Sequence, residues 1–273
     1  MKDPYNNFLF LDTNILSYIA KDETKNHTLS KFCSGNKISL AITPTHLGEL
    51  SDATRLHEGL SKLLLTVPSV LLKNFDDITK YEVNSHPEIF KEDIVSFIYN
   101  SLLFESDALE KIAATFIKKE LKEAREEQKK LALVMFERLE SLKENFPKNK
   151  VGKYDINQLD TFEFFLTVQL LKKNHLDFLE KFKTEATLLN TKIFQGIRLY
   201  CTFLFYKYYI GQRKPKDSSE FGDFSHVQYF PYCKIVVTEK DNCSILNEIK
   251  RHSDVLNNVE IHNIDFLKKI FQN

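Results

Sequence analysis

The sequence predicts an α/β protein of three layers, α/β/α, in which a large helical insertion interrupts the part that forms a central parallel sheet. Three observations predict this fold. Short apolar runs bounded by polar residues occur near both ends of the chain. Helical segments separate them, an alternation typical of parallel sheets with right-handed crossovers. Between residues 74 and 216, strand-like runs give way to long helical periodicity.

The first strand is predicted at residues 8–11, where four apolar residues in a row are typical of a strand buried on both faces. Similar runs predict four more strands at residues 38–42, 69–72, 234–238 and 259–262. We therefore expect residues 1–73 and 217–273 to form one α/β domain.

Helices are predicted between these strands. Thr43-Pro44 places an N-cap residue before a proline at the first helical position, and the apolar spacing continues the helix towards Thr66. Shorter helices are predicted at residues 27–33, 218–229 and 243–252, and from residue 263 to residue 271.

The insertion, residues 74–216, is predicted to be entirely helical. Residues 110–145 carry apolar side chains at alternating steps of three and four, which predicts one long amphipathic helix. Residues 159–171 and 185–210 predict two more helices. We expect the insertion to shape a substrate channel or to mediate self-association into a homo-oligomer.

Composition restricts the class of protein. Lys plus Arg and Asp plus Glu both number 38, so a nucleic-acid contact requires a local basic patch. No apolar run approaches the roughly 20 residues of a membrane span, and the first residues lack the apolar segment of a signal peptide. The four cysteines are scattered without C-x-x-C spacing. These features predict a cytoplasmic protein without a membrane segment.

Acidic residues follow the ends of three predicted strands. Asp12 follows the first strand, Glu49 lies in the helix after the second, and Glu239 and Asp241 follow the fourth. Asp223 lies near the start of a helix. Because the carboxyl ends of parallel strands meet at one edge, these carboxylates are expected to gather there. Clustered carboxylates repel unless a cation neutralises them, and oxygen ligands suit Mg²⁺ or Mn²⁺, which assist phosphodiester hydrolysis.

Each acid also has a simpler interpretation. Asp12 is a good helix N-cap, and Asp223 suits the first turn of a helix, where the helix dipole stabilises a negative charge. Glu49 is also compatible with an ordinary solvent-facing position. The combination of the three acids, in this order along the chain, favours a site over these separate explanations.

Three motifs together resemble the PIN-domain nucleases, in particular larger bacterial PIN-like proteins. They are Leu11-Asp12-Thr13-Asn14, then Ile42-Thr43-Pro44 leading to Gly48-Glu49-Leu50, then residues 222–233 running into Val236-Val237-Thr238-Glu239. The resemblance covers residues 7–72 and 217–265 and leaves the insertion outside.

This resemblance implies an α/β/α fold and a nuclease that depends on Mg²⁺ or Mn²⁺, with Asp12, Glu49 and Asp223 binding the metal. In the family a fourth acid, commonly Asp, follows the threonine of the later strand within one or two positions. Here Lys240 separates two candidates, Asp241 and Glu239, and the choice between them stays open.

Basic residues near Asp223 are candidates for substrate contact. Arg213, Lys214 and Lys216 precede it and are placed to reach a phosphate backbone. His226 follows it by three residues and either contacts a substrate phosphate or makes a structural hydrogen bond. A second basic stripe, at residues 118, 122, 125 and 129, is better explained as a solvated, ion-paired helix face.

The sequence therefore predicts a divalent-metal-dependent nuclease that prefers RNA over DNA. One alternative is a catalytically inactive, PIN-derived module for protein interaction, in which the insertion acts as a scaffold. Another is a phosphatase-like hydrolase of small phosphoesters.

Overall fold

The residues that the computed structural model describes are 7–89, 93–121, 123, 126, 130, 137, 139–184, 189–213 and 220–272. Within these ranges, no helix has the length and apolar character needed to cross a membrane.

A six-stranded sheet forms the centre of the molecule. Its strands are β1 Phe8–Leu11, β2 Ser39–Ile42, β3 Ser69–Leu72, β4 Val95–Ile98, β5 Ile235–Val237 and β6 Glu260–His262. They are ordered β4-β3-β2-β1-β5-β6, and every neighbouring pair is parallel except β3 and β4. The α/β class and the five predicted strands are confirmed.

Strand β4 lies in the segment that was expected to be entirely helical, so that expectation is wrong. It pairs antiparallel with β3 at the edge of the sheet, and three of its four residues are exposed. A short Val-Ser-Phe-Ile run with an exposed face shows neither a strict alternation nor a buried apolar stretch. Periodicity therefore did not identify it.

Side chains alternate along the strands and divide the interior into two cores. Phe8 and Phe10 of β1 lie in one core, and Leu9 and Leu11 lie in the other. The helices on the Leu9 face are α1 Thr13–Ile19, α2 Glu23–Asn36, α3 Pro44–Leu50, α4 His57–Thr66, α6 Ala108–Phe116 and α12 Ile264–Gln272. Those on the Phe10 face are α5 Phe75–Ser85, α7 Leu159–Asn174, α8 Leu176–Thr184, α9 Gln195–Leu204, α10 Glu220–Val227 and α11 Lys240–His252. The sheet therefore has helices on both faces.

The helices of the predicted insertion build much of the layer on the Phe10 face. Phe162 of α7 and Phe203 of α9 share one core with Phe8 and Phe10 of β1. The insertion thus packs directly on the sheet, and it helps to bury β1, the strand that Asp12 follows.

Three predicted helices differ from the observed ones. The helix expected at residues 43–66 is divided by a 3₁₀ turn at Thr54–Leu56. The helix expected at residues 110–145 is interrupted after Phe116, and part of its remainder lies outside the described residues. The helix expected at residues 185–210 starts in a segment, 185–188, outside the described residues; in the described part an α-helix runs from Gln195 to Leu204 and continues as a π-helix, Phe205–Ile210.

A buried carboxyl group connects two helices on the Phe10 face. Glu82 of α5 is fully buried, and its Oε1 accepts a hydrogen bond of 2.6 Å from the hydroxyl of Tyr232. The backbone N–H of Gly196, at the start of α9, donates to the same Tyr232 hydroxyl at 3.2 Å. Burial raises the pKa of Glu82 to about 8, against the effect of the hydrogen bond from Tyr232.

Candidate active site

The candidate site lies at the carboxyl ends of β1 and β5. From β1 the chain adds β2 and β3 on one side of the sheet and β5 and β6 on the other. The strand order therefore reverses between β1 and β5, and this is the position where open α/β sheets bind ligands. Asp12 directly follows β1, and Thr238 and Glu239 directly follow β5.

Asp12 is held on both carboxylate oxygens. Its Oδ1 accepts from the backbone N–H of Asn14 at 3.2 Å, which caps α1, and its Oδ2 accepts from the hydroxyl of Thr238 at 3.1 Å. The side chain is 9% exposed. Burial raises the pKa of Asp12 and the charge of Glu239 adds to this, whereas the charge of His226 opposes it. Asp12 is therefore the N-cap of α1 and at the same time a residue of the candidate site.

Asp223 reaches the same site from α10. Burial raises its pKa to about 6, the nearby Lys207 ammonium opposes this shift, and the charge of Asp12 increases it. Lys207 Nζ lies 3.8 Å from Asp223 Oδ2. The charge of Asp12 therefore acts on Asp223, although the two residues are distant in the sequence.

Glu49 is paired with side chains of the protein. Its Oε2 accepts a hydrogen bond from the Thr13 hydroxyl and lies 3.2 Å from His226 Nε2. Burial acts to raise the pKa of Glu49, but the charge and hydrogen bond of His226, with the hydrogen bond from Thr13, hold it at about 2. Burial acts to lower the pKa of His226, but the charge and hydrogen bond of Glu49, together with the charges of Asp12 and Asp223, raise it. Glu49 and His226 form an ion pair beside Asp12.

A chain of hydrogen bonds continues from His226 to the end of β1. Its Nδ1 lies 3.3 Å from the Thr43 hydroxyl, which lies 3.1 Å from His46 Nδ1. His46 is fully buried, and burial holds its pKa well below the ordinary value. Because His46 Nδ1 accepts from the Thr43 backbone N–H at 3.1 Å, the proton of neutral His46 is on Nε2. That group donates to the Leu11 carbonyl at 2.9 Å. His46 thus positions the residue that precedes Asp12.

The close approach of α10 to Glu49 depends on a glycine. A Cβ atom added to Gly222 would lie 1.9 Å from Glu49 Oε1. We expect Gly222→Ala to displace the Glu49 carboxylate and to weaken its pairing with His226. A hydrogen bond to a charged group contributes about 1.5–3 kcal/mol, so the free energy of unfolding should fall by about 2 kcal/mol relative to a control alanine.

Gly48→Ala provides that control, because Gly48 is also helical and its added Cβ meets nothing within 4 Å. The measurements are urea unfolding and the pKa of His226 by NMR. A His226 pKa that is the same in Gly222→Ala and in the unmodified chain would contradict the prediction.

The two candidates for the fourth acid have different partners. Glu239 Oε1 accepts from Asn14 Nδ2 at 2.8 Å, and its charge acts on Asp12. Asp241 is bound through both oxygens by the Arg213 guanidinium, with one N···O distance of 2.6 Å. Glu239 therefore interacts with residues of the site, whereas Asp241 interacts with Arg213. Lys214 and Lys216 lie outside the described residues.

No known protein family, curated protein or solved structure matches this chain. Its function therefore has to be argued from the geometry and chemistry of the site. In the part of the chain that is described, no group of three or more His, Cys, Asp or Glu side chains is arranged to hold a metal ion.

Sequence reasoning missed two residues of the site, Lys207 and His46. Lys207 is the one charged residue among the apolar and aromatic residues 199–210, and its ammonium lies 5.8 and 5.1 Å from the ring centres of Phe203 and Phe224. A single charge in such a run indicates a buried, paired group. His46 stands at the third helical position after Thr43, a position typical of side chains that bond back to the N-cap.

Proposed function

We propose that this chain is a divalent-metal-dependent nuclease that hydrolyses phosphodiester bonds and prefers RNA over DNA. The observation that carries the proposal is the placement of Asp12 and Asp223 near the carboxyl ends of the central strands, where burial raises the pKa of both and the charge of Asp12 further raises that of Asp223. The preference for RNA rests on the resemblance to PIN-domain nucleases.

The residues present fit a divalent ion. Mg²⁺ keeps several waters and is usually bound by one or two carboxylates together with substrate phosphates, so a cage of three protein ligands is not required. Asp12 and Asp223 supply hard oxygen donors, and a cation between them would relieve the unfavourable burial of two carboxylates. They are the proposed ligands, with Glu239 beside them. When bound, the ion supplies a Lewis acid for the phosphate and makes a water more acidic.

Neighbouring side chains hold these groups in place. Thr238 and the Asn14 backbone orient Asp12 through both of its oxygens. The ion pair of His226 and Glu49 places an imidazolium next to the carboxylates, where it attracts a substrate phosphate. Arg213 is half-buried and pairs with Asp241, two positions after Glu239, and its guanidinium is a further candidate for contact with the nucleic-acid backbone.

The proposal is tested by incubating labelled single-stranded RNA and DNA with the chain in Mn²⁺, Mg²⁺ or EDTA. We expect cleavage that requires the metal and is faster on RNA. Cleavage of DNA alone would overturn the substrate class. Cleavage of neither polymer, with no metal binding by calorimetry, would overturn the enzyme.

A paired substitution separates the two candidates for the fourth acid. Glu239→Gln is expected to lower metal-dependent kcat/KM by about tenfold, an effect typical of residues next to the metal ligands. Asp241→Asn should lower it less, because that carboxylate pairs with Arg213. A larger loss in Asp241→Asn than in Glu239→Gln would assign the fourth position to Asp241.

One observation favours the alternative of an inactive interaction module. Three of the predicted acids are already paired with protein cations: Glu49 with His226, Asp241 with Arg213 and Asp223 with Lys207. If these pairs neutralise the site, the chain binds no divalent ion, and the calorimetry described above detects none.

A further inference from the structure

A second cleft opens at the same edge of the sheet, beyond the carboxyl ends of β2 and β3. Its volume is about 350 Å³, within the range of small-ligand pockets. Thr45 of α3 and Asn74 at the start of α5 lie at the strand ends, and Ser225 of α10 forms a wall. The opposite wall is the last part of α7, which contributes Leu170 and Lys173.

The cleft is next to the candidate active site. The side chains of Thr43 and His226 belong to the site. Thr45, two residues after Thr43, and Ser225, directly before His226, line the cleft. Neighbouring strands are about 4.8 Å apart, so the step from the β1–β5 gap to the β2–β3 gap is about 10 Å. A short stretch of extended nucleic acid spans this distance.

The lining suits a flat ligand with a polar rim. Phe75 contributes a partly exposed aromatic ring, and the buried ring of Tyr229 packs against it edge to face with the ring centres 6.0 Å apart. Gln228 and Asn174 add amide groups that both donate and accept hydrogen bonds. Lys173 adds an exposed cation. Aromatic surface, amides and a cation are together the groups that proteins use to bind single-stranded RNA.

Other ligand classes fit less well. A site for phosphate alone would not include Asp76, which lines the cleft and repels an anion. An apolar peptide segment would leave the amides of Gln228 and Asn174 without partners when it buried them. An uncharged base, with its phosphate outside the cleft, uses both the aromatic and the polar lining.

We propose that this cleft binds one unstacked base of a single-stranded RNA substrate and so positions the neighbouring phosphate at Asp12 and Asp223. The inference rests on the proposed function, and it makes the helical segment that supplies α7 part of the substrate-binding surface. Base binding in the cleft would also favour single-stranded over double-stranded RNA, because a paired and stacked base cannot enter the cleft.

Two pairs of charge-matched substitutions test the inference. Lys173→Glu and Leu170→Glu alter exposed residues of the cleft, whereas Lys172→Glu and Leu176→Glu make the same changes on exposed positions nearby that do not line it. Lys173→Glu and its control Lys172→Glu change the net charge equally, and so do Leu170→Glu and its control Leu176→Glu. A general electrostatic effect on RNA binding would therefore be equal in a cleft variant and its control.

Binding is measured by fluorescence anisotropy of a labelled single-stranded RNA of about 12 nucleotides in EDTA, which prevents metal-dependent cleavage. Lys173→Glu and Leu170→Glu each place a new carboxylate in the cleft, which should repel the nucleotide and prevent its base from stacking there. Base stacking contributes about 1–3 kcal/mol, so both cleft variants should bind at least about fivefold more weakly than their controls. With Mn²⁺ present, their KM for cleavage should rise while kcat is little changed.

The outcomes separate this inference from the proposed function. If the unmodified chain cleaves RNA and all four variants bind alike, the cleft is not a base-binding site, and the nuclease proposal stands. If the unmodified chain neither binds nor cleaves RNA, both fail. Weaker binding by the two cleft variants alone supports the inference, whether or not cleavage is detected.

Discussion

Replacing Asp12 with asparagine should lower metal-dependent RNA cleavage by about 10²- to 10³-fold, which corresponds to about 2.7–4 kcal/mol of lost transition-state stabilisation. The amide has the size of the carboxylate. Its oxygen can still accept from the backbone N–H of Asn14, and its NH2 group can donate to the hydroxyl oxygen of Thr238, so the fold is expected to persist. What is lost is the negative charge that we propose binds a divalent cation. The measurement is kcat/KM over a Mn²⁺ series.

Asp22→Asn is the matched control. Asp22 is also an aspartate at a helix N-cap, where it accepts from the backbone N–H groups of Thr24 and Lys25 at the start of α2. It lies outside the set of side chains that contact the site. A similar loss of cleavage in both variants would show that capping, and not metal binding, explains the effect. Unchanged cleavage in Asp12→Asn would remove Asp12 from the mechanism.

Glu82→Gln should make the protein more stable at alkaline pH. The pKa of Glu82 is raised by burial to about 8 from an ordinary value of 4.5, so the folded chain keeps a proton that the unfolded chain releases. The folded state therefore binds more protons between these two pH values, and the free energy of unfolding falls as the pH rises through this window. Glutamine is uncharged at every pH and should remove this part of the decline.

The expected difference is a few kcal/mol, on the order of 3 to 5, in favour of Glu82→Gln at about pH 9. Urea unfolding at a series of pH values measures it. Glu88→Gln removes a carboxylate from an exposed position near the end of the same helix, and it should leave the pH profile close to that of the unmodified chain. Parallel profiles for Glu82→Gln and the unmodified chain would show that Glu82 is charged in the folded state.

The sequence by itself determined the class of fold. Runs such as residues 8–11 and 235–237 are uniformly apolar, which is typical of strands covered on both faces and so favours a parallel sheet with helices on both sides. The same runs located Asp12 and Glu239, because an acid directly after a buried strand lies at the carboxyl edge of the sheet. Local chemistry was sufficient for these predictions, since each depends on a few consecutive residues.

Local sequence patterns could not predict strand β4 or the end of the helix at Phe116. An edge strand is stabilised by hydrogen bonds to a neighbour that is distant in sequence, here β3, and its own residues need no distinctive pattern. The apolar spacing of residues 110–145 is compatible with one helix or with two, and packing on α4 favours an end at Phe116.

The contacts that each acid makes depend on the tertiary structure. The strand order places the reversal between β1 and β5, and no local signal specifies that order. The pairing of Glu49 with His226 joins residues 177 positions apart, and that of Asp241 with Arg213 joins residues 28 apart. Charge and size show that a residue can bind a cation. Which cation it meets, a metal ion or a neighbouring side chain, depends on contacts made when the chain folds, because electrostatic interactions act through space and not along the sequence.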